Sequence, residues 1–322
     1  MDETEWALAQ TWIAAALADR GTPATGPAVI DRDRPWSRVA RVPVDGGEVW
    51  FKRNNEGSRY EAGLMRLLAT LLPDHVIVPI AVDVPRGWML LPDGGHTLRS
   101  LTGDVFHEDR WEVLLRRYAE LQQAVAPRAE ELLAMGVPDV RPRAVPEIFA
   151  QLLDDPYVVA NTSAENLAAL RAWEPRLAEL AARLDASGIA PSVQHDDLHT
   201  GNVFADAEGG LRFFDFGDAS LAHPFGTMLV ALRVVHRDAK VEHDDPVLHR
   251  LRDHYLSAWG GEADLPELRR ICQDAIEVTK VSKALSYHRS LIDADEQALT
   301  EYGDGITGWL EELLGPDVVS RP

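Results

Sequence analysis

Residues 192–217 read SVQHDDLHTGNVFADAEGGLRFFDFG, a polar loop followed by two short apolar stretches. Asp197 stands in the loop, Asn202 follows it by five positions, and Asp215 opens the triplet Asp215-Phe216-Gly217. Residues 202–205 and 211–214 read as short strands joined by a turn at 206–210, Asp206-Ala207-Glu208-Gly209-Gly210. A carboxylate able to take a proton, then a carboxamide and a second carboxylate offering oxygen to a hard cation, meet the needs of phosphoryl transfer from a nucleotide to a hydroxyl. In that chemistry Asp197 orients the hydroxyl and accepts its proton late, so its pKa need not be unusual. Asn202 and Asp215 are the candidate magnesium ligands. His195 and His199 are candidates for packing and hydrogen bonds that hold the loop.

The same segment allows a second reading. His195, Asp197 and His199 alternate, His223 and His236 lie downstream, and imidazole with carboxylate is also a transition-metal ligand set, as in a metallohydrolase. Context favours phosphoryl transfer, because a strand ending in Lys52 and another ending before Asp215 both have work to do in it and none in a hydrolase.

Upstream, residues 36–44 and 48–52 flank Asp45-Gly46-Gly47 and read as a hairpin whose second strand ends at Lys52, the candidate partner of nucleotide phosphates. Residues 2–19 and 58–72 have helical apolar spacing, and 75–82 and 87–91 are strand-like. Glu61 is the expected acidic partner of Lys52. Ser58 and Glu61 also have the spacing of a capping box, in which the glutamate merely closes the helix start, and Glu56 is a substitute partner. Past Pro92-Asp93-Gly94-Gly95 the pattern turns to helices at 107–125, 163–186, 246–259, 266–291 and 295–314. The plan is α+β and bilobal: a small antiparallel sheet lobe with a helix (1–91), a hinge (92–95) and a large, mainly helical lobe (96–322) carrying catalysis and substrate binding. A base bound at the hinge would meet the segment 89–93, where Pro92 has no N–H and the Leu91 carbonyl and Asp93 amide are the available pair.

The chain resembles the aminoglycoside phosphotransferase and choline kinase-like family, small-molecule relatives of the protein kinases. The order of elements carries the resemblance along the whole chain, and residues 194–217 carry its specific part. In that family His-Gly-Asp begins the catalytic loop, an Asn follows the Asp by five positions, and an Asp opens an Asp-Phe-Gly-like segment. Asp197, Asn202 and Asp215 occupy those places. Three departures stand out. Asp196 replaces the usual glycine and is expected to turn away from Asp197. The hairpin lacks a glycine-rich loop, so Ser37 or the backbone amides near Arg38 are expected to meet the phosphates instead. Residues 219–227, ASLAHPFGT, lack the further acidic residue often found there.

Composition fits a folded, cytoplasmic protein with enough apolar content for two lobes, 46% hydrophobic over 322 residues. The start is acidic, unlike a signal peptide, and no apolar run has the length of a membrane span. A net charge of −20 opposes nucleic-acid binding, and it either steers amine-bearing acceptors to the protein or simply keeps it soluble. Cys272, the single cysteine, reads as a buried apolar thiol. The expectation is an ATP- or GTP-dependent, magnesium-requiring kinase acting on a hydroxyl of a small polar molecule such as an aminoglycoside-like antibiotic, amino sugar or amino alcohol. A nucleotide-binding regulator without turnover is the alternative. Asp274, Glu277, Tyr287 and His288 are possible acceptor contacts, each equally explicable as helix surface or packing.

Overall fold

The computed structural model describes residues 3–103, 105–206 and 209–320. Asp2 of the expected first helix and Ala207 and Glu208 of the expected turn lie outside the described residues.

The chain opens with helix α1 (Glu3–Asp19), then strands β1 (Val29–Asp33), β2 (Ser37–Val44) and β3 (Gly47–Asn54), helix α2 (Glu61–Leu71), and strands β4 (Ala81–Asp83) and β5 (Trp88–Pro92). The strands form one antiparallel sheet in the order β1-β2-β3-β5-β4. Gly46, at φ +82°, supplies the left-handed residue of the tight β2–β3 turn. Strand alternation sorts the side chains by face. Val49, Phe51, Trp88 and Leu90 pack beneath Ala9, Ile13 and Leu17 of α1, while Lys52 and Asn54 project to the other side. Met89 and the Leu64, Met65 and Leu68 stripe of α2 belong to a second core, continuous with the rest of the molecule. The small lobe is therefore joined to the large one through α2.

The large lobe comprises α3 (Leu98–Thr102), α4 (Glu108–Val125), α5 (Ala129–Ala134), β6 (Asp139–Val140), α6 (Val145–Asp154), α7 (Pro156–Asn161), α8 (Ala164–Asp185) and β7 (Ser192–Gln194). These are followed by β8 (Val203–Ala205), β9 (Leu211–Phe213), β10 (Ser220–Ala222), α9 (Met228–Ala239), α10 (Pro246–Leu256), α11 (Leu265–Ser290), α12 (Glu296–Tyr302) and α13 (Asp304–Glu311). Ser163 caps α8 by accepting from the Asn166 amide, as its residue type predicts. No helix among the described residues is long and apolar enough to cross a membrane.

Two expected elements are different in the structure. The strand expected at 75–82 shrinks to β4, because Val76 instead makes an isolated parallel bridge to Phe213, tying this segment to the large lobe. The helix expected at 295–314 is split by Gly303 into α12 and α13. A Cβ at Gly303 would lie 2.1 Å from the Tyr157 hydroxyl, so the chain needs glycine there, and glycine is a poor helix former.

Candidate active site

The loop between β7 and β8 is held from both sides. His195 is fully buried, its Nε2–H donates to the Phe214 carbonyl at 3.0 Å, and its ring lies 4.6 Å from that of Phe216. Burial pulls its pKa down, so it serves as a neutral strut between the two loops. Asp196 adopts φ +60°, a conformation glycine takes freely. Its side chain turns away from Asp197, as expected, and its two carboxylate oxygens accept from Gln194, from the Ser220 hydroxyl at 2.7 Å and from the Ser282 hydroxyl at 2.8 Å. Burial nevertheless raises its pKa, against the pull of Lys283 and these donors.

Asp197 points into the space between the lobes. Asn202 Nδ2 donates to its Oδ2 at 2.9 Å and to its backbone carbonyl at 3.0 Å, which leaves Asn202 Oδ1 as the amide atom free to accept a cation. The Gly201 amide donates to His199 Nδ1 at 2.9 Å, so His199 carries its proton on Nε2, 3.4 Å from Asp197 Oδ2. Burial works against ionisation of Asp197, but the hydrogen bond from His199 and the charge of Lys283 outweigh it and hold the pKa well below the ordinary carboxylate range. Asp197 is an anion across the whole physiological range.

Lys52 Nζ lies 2.7 Å from Glu61 and 2.5 Å from Asp215, bridging β3, the start of α2 and the segment after β9. Glu61, 1% exposed, also accepts from Asn54 Nδ2 at 2.5 Å. It is thus engaged with Lys52, and it does not close a capping box: the Ser58 hydroxyl donates instead to the Gly217 carbonyl at 2.8 Å. Burial opposes the charge on Lys52, yet Asp215 and Glu61 raise its pKa. Asp215 is lowered, Lys52 overcoming burial, while Glu61 is raised because burial is the larger effect. Asp215 itself sits at φ +65°, turning the chain back towards the cleft.

The segment after Asp215 has its own fastenings where the usual further acid is missing. The Tyr60 hydroxyl lies 2.6 Å and 2.7 Å from the carbonyls of Gly217 and Ala219, and Arg289 of α11 donates to the Asp218 and Gly57 carbonyls.

Lys52, Asp197, Asn202 and Asp215 line one cleft of about 430 Å³ between the lobes. Ser37 does not line it. Ser37 is buried in a tight reciprocal backbone pairing with Arg34, and Trp36 and Arg32 occupy the rim in its place. Leu91 and Asp93 also lie outside the cleft lining, Leu91 within the sheet opposite Trp50 and Asp93 exposed, accepting from the Gly95 amide. Beneath Gly94, Phe204 and Phe214 stack at 4.2 Å, and a Cβ on Gly94 would collide with the Phe204 ring. Of the possible acceptor contacts only Tyr287 reaches the cleft, since Asp274 pairs with Arg183, Glu277 with Lys280 and His288 with Asp155. Sequence reasoning missed Lys283 of α11, which lines the cleft and is 3% exposed, as well as Tyr302 and the phenylalanine pair.

Among the described residues no three His, Cys, Asp or Glu side chains are grouped to hold a metal, and His195 faces the Phe214 carbonyl, away from Asp197. That geometry disfavours the hydrolase reading.

A two-lobed molecule with a sheet lysine, a loop aspartate and a second aspartate after a short hairpin, all in the interlobe cleft, has the architecture of a kinase-like phosphotransferase. The sequence matches the model of the phosphotransferase enzyme family over residues 36–271, and the chain belongs to that family as a small-molecule kinase. No curated protein matches it. Solved structures share the fold at low identity. A macrolide 2'-phosphotransferase from Brachybacterium faecium is 17% identical with TM-score 0.56, covering 92% of this chain and 97% of that one. An ethanolamine kinase from Plasmodium vivax is 9% identical with TM-score 0.59, covering 88% and 81%. A spectinomycin phosphotransferase, in complex with ADP and spectinomycin, is 12% identical with TM-score 0.52, covering 96% and 95%.

Proposed function

We propose that the protein transfers the terminal phosphoryl group of ATP or GTP to a hydroxyl of a small polar molecule, with Asp197 as the base. The new bond joins the acceptor oxygen to phosphorus, the bond from phosphorus to the bridging oxygen breaks, the nucleoside diphosphate leaves, and the acceptor proton passes to Asp197. The observation that carries this reading is the convergence of Lys52, Asp197, Asn202 and Asp215 on one cleft.

In this reading Lys52, oriented by Glu61, meets the nucleotide phosphates. The nucleobase lies beside Phe204 and Phe214 near Gly94, and Leu91, whose backbone faces Trp50 within the sheet, has no part in holding it. Ser37 has no part on the geometry described, and Trp36 with the neighbouring backbone covers the phosphates. A donor set of one carboxylate and one carboxamide oxygen, with no histidine or thiolate, suits magnesium completed by phosphate oxygens and water. Asp215 and Asn202 would hold it, and bound magnesium would screen the phosphate charge. The lobes divide at 92–95, and a cytoplasmic location gives access to the nucleotide pool.

The test is incubation of purified protein with magnesium, ATP or GTP, and a panel of alcohols, sugars and aminoglycosides, read by product mass. Addition of one phosphate to an acceptor supports the reading. Nucleotide binding without any turnover across the panel favours the silent regulator, and zinc retained in stoichiometric amount favours the hydrolase.

A further inference from the structure

Every carboxylate that lines the cleft already has a partner. Asp215 is held by Lys52, Asp197 by Asn202 and His199, and Asp218 by Lys283 at 3.4 Å. Two of the three aromatic rings that line the cleft, Tyr287 and Tyr302, already carry a cation, and the third, Trp36, packs edge-to-face against Tyr302. Lys283 Nζ lies over the Tyr287 ring at 5.5 Å and the Trp309 ring at 5.9 Å, and the Arg34 guanidinium lies over Tyr302 at 5.7 Å. What remains unsatisfied is hydrogen-bonding capacity on a cation, since the charge of Lys283 is already felt by Asp218, Asp197 and Asp196. The Lys283 ammonium has three donors, is 3% exposed, and makes one long hydrogen bond, to Asp218. Arg32, at the rim of the same cleft, makes no ion pair among the described residues.

A buried ammonium with spare donors that lines a cavity is a site for oxygen ligands. We infer that the acceptor of this kinase carries an anionic oxygen group, a carboxylate or phosphate, which Lys283 binds while Asp197 engages the hydroxyl. The inference rests on the phosphotransferase reading and reverses the expectation drawn from overall charge. A net charge of −20 acts at long range and is screened by salt, whereas Lys283 and Arg32 act at contact. Lys283 is a specificity residue in this account, and its ion pair with Asp218 and its aromatic neighbours hold it in place until the ligand arrives.

Three probes that share an array of hydroxyls and differ in charge test this: gluconate, methyl glucoside and glucosamine. Each is titrated by ligand-observed NMR against the protein saturated with magnesium and ADP, so that only the acceptor side is open. Gluconate should bind at least about tenfold more tightly than glucosamine, with methyl glucoside between them. Lys283→Met should erase the preference and Lys283→Arg should keep most of it, a rescue that loss of packing alone would not give. Magnesium–ADP affinity, measured on each variant, reports whether it is folded. Should Lys283→Met not fold, Arg32→Ala on the exposed strand β1 carries the test, with an expected loss of about threefold in gluconate affinity. Glucosamine binding as tightly as gluconate, no saturable gluconate binding, or a preference that survives Lys283→Met overturns the inference. Failure of the wild-type chain to bind magnesium–ADP is a different result, which removes the phosphotransferase reading itself.

Discussion

On one wall of the cleft Lys52 holds two carboxylates within 2.7 Å, while on the other Lys283 makes a single hydrogen bond, to Asp218 at 3.4 Å, and acts on Asp196 and Asp197 only through its field. Lys283 is buried and Lys52 half-buried, and both have raised pKa values, desolvation being outweighed by nearby carboxylates. The difference lies in saturation. Lys52 is locked between β3, α2 and the Asp215 turn, so it fixes the geometry of three elements at once. Lys283 has donors to spare, so it can take a ligand. A saturated charge network positions, and an unsaturated one recognises.

The comparison can be broken most sharply at Asp197, which both walls share. Asp197→Asn should lower phosphoryl transfer by about 10²–10⁴-fold while nucleotide affinity changes little, as expected for loss of a general base. A comparable loss of nucleotide binding would mean that Asp197 holds the loop together instead. Lys52→Met should cost stability as well as turnover, because it leaves Glu61 buried and unpaired; about 3 kcal/mol by urea unfolding is expected. Lys52→Met combined with Glu61→Gln should recover most of that stability and none of the turnover.

Away from both walls, His223 gives a pH scale for the scaffold. Burial lowers its pKa to about 3 from an ordinary 6.5, so the unfolded chain binds a proton that the folded chain refuses. Stability is full above pH 6.5 and falls by about 1.4 kcal/mol per pH unit as the pH drops towards 3. His223→Gln should flatten this part of the acid limb, with His195, also lowered by burial, contributing what remains. The smallest effect belongs to the rim. Tyr302→Phe removes the hydrogen bond from Arg34 and should raise the acceptor KM by about threefold or less, with a smaller change in kcat, since the contact is exposed.

How much of this was legible in the sequence follows from how each wall is built. Asp197, Asn202 and Asp215 lie within one short stretch, and a strand pattern ending in Lys52 is local, so chain order displays them. Glu61 was legible as a candidate, but only folding separates its role beside Lys52 from that of a helix cap. Lys283 was not legible. It sits in the segment VTKVSKALS of α11, where a lysine reads as solvated surface, and charged side chains are seldom buried. Its burial arises because α11 is enclosed on several sides, a fact of tertiary packing that helical spacing does not carry. Ser37 failed for a similar reason: the turn after β1 closes through its own backbone pairing with Arg34, which draws the serine inward and leaves Trp36 at the cleft. Gly303 shows the same limit, since the Tyr157 hydroxyl that demands it comes from a distant helix.

A crystal structure with magnesium and a non-hydrolysable ATP or GTP analogue tests the central claim most directly. The account predicts the metal on Asp215 and Asn202 oxygens, Lys52 on the phosphates, and the terminal phosphorus facing Asp197 across a gap the size of an alcohol oxygen. A nucleotide bound outside the interlobe cleft, or a metal held by His195 or His199, would contradict it.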